Sequence, residues 1–221
     1  MKTLTLTSNC EKSLSDQILC PILEGLNATQ ADCAAIIPSG NANNLLVNKL
    51  PSHSGLLTYQ AAILCCDPFM NRETFFTELY SRGVRSVSNW PTTIFLEHNF
   101  KKAMNNINAN PMTEFECLAD AMKMGMEAKA FILSLEQGKQ AISQGIRDLI
   151  VHPGLQIALS EGAQNTLYES LHFMIETLLK IEPTLNVYIY QHTKHEMEAH
   201  HKRYRKNPPS ISGYVIYQGS E

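Results

Sequence analysis

Residues Leu57 to Thr93 read LTYQAAILCCDPFMNRETFFTELYSRGVRSVSNWPTT, and this stretch decides the fold. Tyr59–Cys66 is an apolar run without polar alternation, the mark of a strand buried on both faces. Asp67-Pro68 ends it. Asn71 suits a helix cap, and Phe75, Phe76, Leu79 and Tyr80 form an apolar stripe at helical spacing. Gly83 stands where a glycine closes a helix. Val84–Trp90 is a second strand, stopped by Pro91. Two buried strands joined by a helix pair in parallel through a right-handed crossover. Asp67, Asn89 and Thr92 then lie just past the C-terminal ends of neighbouring strands, the edge where α/β folds bind ligands.

Upstream, Thr3–Thr7 and Gln17–Leu23 read as strands, with only Ser8–Asp16 between them, too few for a full barrel helix. Cys33–Ile37 is a further apolar segment, closed by Pro38-Ser39-Gly40-Asn41. Asn41 to Lys49 forms a short helix, and His53-Ser54-Gly55 is loop. Downstream, Phe95–Pro111 is polar and asparagine-rich and reads as a loop with a broken helix. Thr113 and Glu116 make a capping box for a helix that Gly125 ends, and Ser134 and Gln137 make another for a helix that Gly145 ends. Ala128–Leu133, Asp148–Val151, Asn186–Tyr190 and Ile211–Tyr217 are strands. A long amphipathic helix carries Leu167, Leu171, Met174, Ile175 and Leu178, and His195–Arg205 is a polar helix. Eight strands alternate with helices, so the leading reading is a closed (β/α)8 barrel over residues 1–221 as one domain, with a shortened first β/α unit. The runner-up is an open doubly wound sheet, because periodicity does not reveal closure.

Composition narrows the function. The chain has 221 residues, 44% hydrophobic and 18% charged, enough for a sizeable core. A net charge of −3 argues against a general nucleic-acid role, and no apolar run reaches membrane-spanning length. Six cysteines sit mostly in apolar runs without CxxC spacing, which fits free thiols in a reducing cytoplasm. The absent first helix leaves a gap in the outer ring near Thr3–Leu23, and exposed apolar surface there would favour a homo-oligomer.

Five short motifs, in one order over more than half the chain, carry a resemblance. They are Ile37-Pro38-Ser39-Gly40-Asn41-Ala42-Asn43, Cys66-Asp67-Pro68-Phe69, Ser88-Asn89-Trp90-Pro91-Thr92, Glu114-Phe115-Glu116 and Val151-His152-Pro153-Gly154-Leu155. Together the sequence resembles the phosphoenolpyruvate-hydrolase-like TIM barrels, related to the phosphoenolpyruvate mutase and isocitrate lyase barrels. The resemblance implies a lyase or hydrolase acting on a small oxoacid or enol phosphate, assisted by Mg²⁺ held by Asp67. It implies proton transfer by His152 and His192, and substrate binding by Gly40, Asn41, Asn43, Asn89 and Thr92. The chain departs from the family at its ends. Thr3–Asn9 has no glycine, Leu23–Asp32 lacks the family's arginine motif, and His192-Thr193-Lys194 and Ile216–Gly219 replace glycine-rich loops. Such glycines are the usual phosphate cradle of these barrels, so their loss favours an alternative: a degenerate barrel that binds a ligand or a protein.

Each candidate also has a plainer reading. Asp67 could cap the following helix, Asn89 and Thr92 could serve the turn at Pro91, and His152 and His192 could be a structural pair. As functional groups, Asp67, Asn89, His152 and His192 are expected to converge on one pocket at the C-terminal mouth. His192, Glu196 and His200 recur every four residues, which invites a zinc reading, but the run misses the His-Glu-x-x-His pattern by one.

Overall fold

The computed structural model describes residues 1–9, 16–37, 40–52, 57–155, 161–205 and 208–219. In chain order the elements are β1 (Lys2–Thr7), β2 (Gln17–Leu19), α1 (Ala28–Ile36), α2 (Ala42–Lys49), β3 (Tyr59–Ile63) and α3 (Arg72–Ser81). Then come β4 (Val84–Asn89), α4 (His98–Asn105), α5 (Pro111–Lys123), β5 (Glu127–Ile132), α6 (Leu135–Ser143) and β6 (Asp148–Val151). The chain finishes with α7 (Glu161–Ile181), β7 (Asn186–Gln191), α8 (Lys194–Arg203) and β8 (Gly213–Gln218). The eight strands pair in sequence order and all in parallel, and β8 returns to β1, so the sheet is a closed barrel. No helix among the described residues is long and apolar enough to cross a membrane.

The deciding stretch folds as its pattern requires. β3 pairs in parallel with β4, with Ala61 opposite Val87. Asn71 caps α3, its side chain accepting from the Thr74 N–H, and Gly83 follows α3 at φ 90°. Strand alternation divides the core in two. Leu4, Ile18, Ala62, Phe131, Ile150, Tyr190 and Val215 fill the barrel interior. Residues that alternate with the inward positions along the strands, such as Ala61, Val87, Leu149 and Ile189, pack under the helices.

Several sequence readings need correction. The second strand stops at Leu19; Pro21–Leu23 is a 3-10 turn, because Pro21 has no N–H to give a ladder. The cap of α5 is Asn110, with Pro111 at the first helical position, so Thr113 sits one turn inside and supplies the N–H that Asn110 accepts. Ser134 does cap α6, but the Gln137 side chain accepts from the Leu133 N–H and donates to the Ile94 carbonyl. The polar stretch after Thr93 holds the regular helix α4. Residues 10–15, between β1 and β2, lie outside the described residues; the outward residues of β1 are Thr3, Thr5 and Thr7, which are polar. Pro38-Ser39 and His53-Ser54-Gly55 lie outside the described residues.

α1 crosses the C-terminal mouth. Its Ala31, Ala34 and Ala35 pack into the interior cluster, and small side chains permit that close approach. The Tyr217 hydroxyl donates to the Leu26 carbonyl at one end of α1, and the Thr92 N–H donates to the Ala35 carbonyl at the other.

Candidate functional site

Strand parity sorts the expected site residues. His152 and His192 follow β6 and β7 at even positions and turn inward. Asn89, at an odd position, turns outward toward α5. There Asn89 pairs with the backbone of β5: its Oδ1 accepts from the Phe131 N–H (2.7 Å) and its Nδ2 donates to the Phe131 carbonyl (3.3 Å). Asn89 and Thr92 also donate to Glu114 Oε2, at 2.7 and 2.6 Å, and the Thr93 N–H donates to Oε1 at 2.6 Å. Glu114 is fully buried, and burial pushes its carboxyl up against the pull of these donors. The result is a lock between α5 and the loop after β4.

The motif around Asn43 behaves alike. Asn43 Oδ1 accepts from the Leu64 N–H (2.9 Å), and Nδ2 donates to the Leu64 carbonyl and to Asp67 Oδ2, both at 3.1 Å. Asp67 Oδ1 accepts from the Phe69 N–H at 2.9 Å. Asn41 caps α2 by accepting from the Asn44 N–H, and Gly40 is exposed beside it. Among the described residues, no hydrogen bond or ion pair joins Asp67 to either histidine.

What the two histidines meet is Asp32, carried into the mouth by α1. His192 Nε2 lies 2.7 Å from Asp32 Oδ2, and His152 Nε2 lies 3.4 Å from Oδ1. All three are buried. The His152 ring stacks on Tyr190 (4.5 Å between centroids) and Trp90 (5.6 Å), with the edge of Phe95 against it. Burial alone would raise the Asp32 carboxyl; the hydrogen bonds and charges of His152 and His192 outweigh it and hold the group below the usual carboxylate range. Burial lowers His152, more than Asp32 raises it. For His192 the balance reverses: Asp32 and Glu196 overcome burial and push it up to about 9.

By residue type, Asp32, His152 and His192 match a two-histidine, one-carboxylate metal set. The tautomer speaks against it. The Gly154 N–H donates to His152 Nδ1 at 3.1 Å, which places the ring proton on Nε2. That nitrogen then carries a hydrogen, where a metal needs a lone pair, and it faces Asp32 Oδ1 at 3.4 Å without completing a hydrogen bond. The trio is therefore a polar unit rather than a metal set. Among the described residues, three of its buried atoms lack a hydrogen-bond partner, Asp32 Oδ1, His152 Nε2 and His192 Nδ1, the last lying 3.6 Å from Glu196 Oε2. His192 also lines a groove of about 500 Å³, with Leu26, Asn27, Lys194, Tyr217 and Gly219.

His200 does not share a helix face with His192, because α8 starts only at Lys194, after the cap Thr193. His200 faces the other way, its Nε2 3.1 Å from His172 Nε2 and its Nδ1 2.9 Å from the Tyr214 hydroxyl. Two residues central to this geometry had no role in the sequence reading, Asp32 and Glu114. Asp32 had a signal: a single acid in the otherwise apolar run over residues 31–36 of α1 asks for a buried partner, whereas Glu114 stands close to Glu116 and Asp120 on α5 and is not singled out.

The model of the phosphoenolpyruvate hydrolase-like family matches residues 26–189. Protein y4oT of Sinorhizobium fredii is 24% identical over 136 residues, 60% of this chain and 68% of that protein. The ToMV resistance protein Tm-1(GCR237) of Solanum lycopersicum is 23% identical over 143 residues, 63% of this chain but 19% of that protein. The chain thus spans about a fifth of the tomato protein's length. Among solved structures, a putative phosphonomutase from Burkholderia cenocepacia superposes with a TM-score of 0.52 at 10% identity, covering 97% of this chain and 87% of that one. That likeness concerns the barrel fold.

Proposed function

The chain belongs to the phosphoenolpyruvate hydrolase-like family, and from that premise we propose that it is a TIM-barrel lyase or hydrolase of a small oxoacid, with His192 as its proton-transfer group. One observation carries this reading. His192 lines the groove, Asp32 holds its Nε2 at 2.7 Å, and its Nδ1 makes no hydrogen bond to a described residue, with Glu196 Oε2 3.6 Å away. A histidine oriented by a carboxylate on one nitrogen and not hydrogen-bonded on the other is the arrangement of a general acid or base. His152 stands behind it, its Nε2 3.4 Å from Asp32 Oδ1 and its ring stacked on Tyr190, and its nearness helps hold the Asp32 carboxyl below the usual range. Asn89 and Thr92 shape the loop that anchors α1 and do not meet substrate.

Mg²⁺, which the resemblance implies, fits Asp67 as a single carboxylate among waters and substrate oxygens, each Asp67 oxygen keeping a lone pair beyond its one protein donor. Bound there, the ion would supply positive charge to an anionic ligand. The proposed chemistry draws no step through it.

A second reading, a barrel that binds ligand without turnover, is favoured by the filled mouth: Trp90, His152 and Tyr190 are fully buried and offer a ligand no exposed surface. Buried thiols at Cys20, Cys65 and Cys117 support a reducing, cytoplasmic setting, and exposed Phe69, Phe100 and Phe173 support self-association. Turnover of a panel of oxoacids and enol phosphates, with and without Mg²⁺, separates the two readings. His192→Asn should lower turnover of any substrate found by about 100-fold or more. Full activity in that variant would refute the proposed role, and ligand-induced stabilisation without turnover would establish the second reading.

A further inference from the structure

We propose that Glu196 is a positioning residue that keeps His192 a proton donor, by fixing a second carboxylate beside Nδ1 of a ring whose Nε2 Asp32 already holds. The inference rests on the role of His192 in the groove and adds the direction in which its proton moves.

Glu196 is the third residue of α8, and Thr193 caps that helix by accepting from the Glu196 N–H at 3.1 Å. In an ordinary capping box the third residue's side chain returns to the N–H of the cap itself. Here it reaches one residue further: Glu196 Oε2 accepts from the His192 N–H at 3.0 Å. That one-residue reach brings the same oxygen to 3.6 Å from His192 Nδ1. The imidazole is thereby held between two acids from different elements, Asp32 on α1 and Glu196 on α8. The other titratable groups around the ring are His152 on β6, Tyr190 on β7, Tyr217 on β8 and Lys194 at the start of α8. Lys194 is exposed and pairs with Glu198, so it does not cancel Glu196. Burial keeps His152 neutral, and Tyr190 is likewise held protonated by burial.

Two carboxylates against one ring favour the imidazolium. With both nitrogens protonated, the Nδ1–H is the ring hydrogen that Asp32 does not hold. Such a group suits a reaction in which the substrate develops an enolate, as an oxoacid does on carbon–carbon cleavage. The Nδ1–H bond breaks, a C–H bond forms at the enolate carbon, and the neutral ring recovers a proton from solvent after product leaves. The groove's chemistry therefore points to a substrate whose enolate must be quenched.

The test is an NMR titration of the His192 ring nitrogens in the full chain without substrate. In the native protein both nitrogens should carry protons at pH 7. Glu196→Gln preserves the acceptor for the His192 N–H, and with it the helix start, but should move the titration midpoint down by about one pH unit. Glu196→Asp, which keeps the charge, should recover most of that shift. A neutral His192 at pH 7, or an unchanged midpoint in Glu196→Gln, would overturn the proposal. Because no substrate is present, that failure is distinct from failure of the catalytic role, which His192→Asn reports through turnover.

Discussion

His192 Nε2 and Asp32 Oδ2 lie 2.7 Å apart although 160 positions separate them in the chain. One belongs to the end of a barrel strand, the other to the helix that crosses the mouth. Their contact joins the site's chemistry to the placement of α1.

Breaking that contact from one side should be costly, because it leaves a buried charge without its partner. Asp32→Asn is expected to lose about 3 kcal/mol in urea unfolding. The double variant with His192→Asn should lose less than the two single losses added together, since residues in direct contact couple. Strict additivity would show that the pair contributes nothing as a pair.

Glu114 makes a second, different prediction. Its two oxygens accept from Asn89, Thr92 and the Thr93 N–H. Glu114→Gln replaces one acceptor with an NH2 group facing donors, and the expected loss is about 2 kcal/mol by chemical denaturation. Glu114→Gln as stable as the native protein would mean that the lock is dispensable.

Acid should loosen the α7–α8 contact. Burial lowers His200 from 6.5 to about 4, and the charges of His172, Arg203 and His201 act in the same direction. A folded value below the unfolded one gives stability that is present above pH 6.5 and lost as pH falls toward 4. His172 and His152 are lowered too and add to the same slope. Asp32 contributes only at the acidic end, below the ordinary carboxylate value of 3.8. Melting temperature should therefore drop between pH 6.5 and 4, and His200→Gln, which cannot take the proton, should flatten the curve. An identical slope in that variant would refute the assignment to His200.

Barrel closure depends on Gly213. It stands opposite Lys2 where β8 meets β1, and a Cβ at Gly213 would collide with the Lys2 backbone carbonyl. Backbone cannot swing aside as a side-chain tip can, so Gly213→Ala should cost about 3 kcal/mol. Urea midpoints of the two proteins measure it; a change near zero would place β8 differently.

Much of the fold was legible because parallel strands buried on both faces announce themselves as apolar runs. The starts of all eight strands fell within two residues of those in the structure, Ile211 against Gly213 being the widest miss. Caps were less legible. Thr-x-x-Glu at Thr113 is a valid signal read one turn late, because Asn110-Pro111 begins the same helix with equal chemistry. The site was half legible. His152 and His192 were visible as polar ends of strands, whereas Asn89 at a similar end faces the helices, a distinction set by odd or even position along the strand. Asp32 was hidden for another reason. It comes from a helix whose place over the mouth depends on contacts distant in sequence, among them those with Thr92 and Tyr217.

The chain has one tryptophan, and its position makes it an optical probe. Trp90 is fully buried and lies 5.6 Å from the His152 ring at an angle of 24°, with Phe95 and Phe131 around it. A protonated imidazole quenches indole emission, so the brightness of this protein reads out the charge on His152. Its emission wavelength reads out whether α1 still seals the mouth from water. Events at the Asp32 cluster can thus be followed in the unlabelled protein, in real time and before any substrate is known.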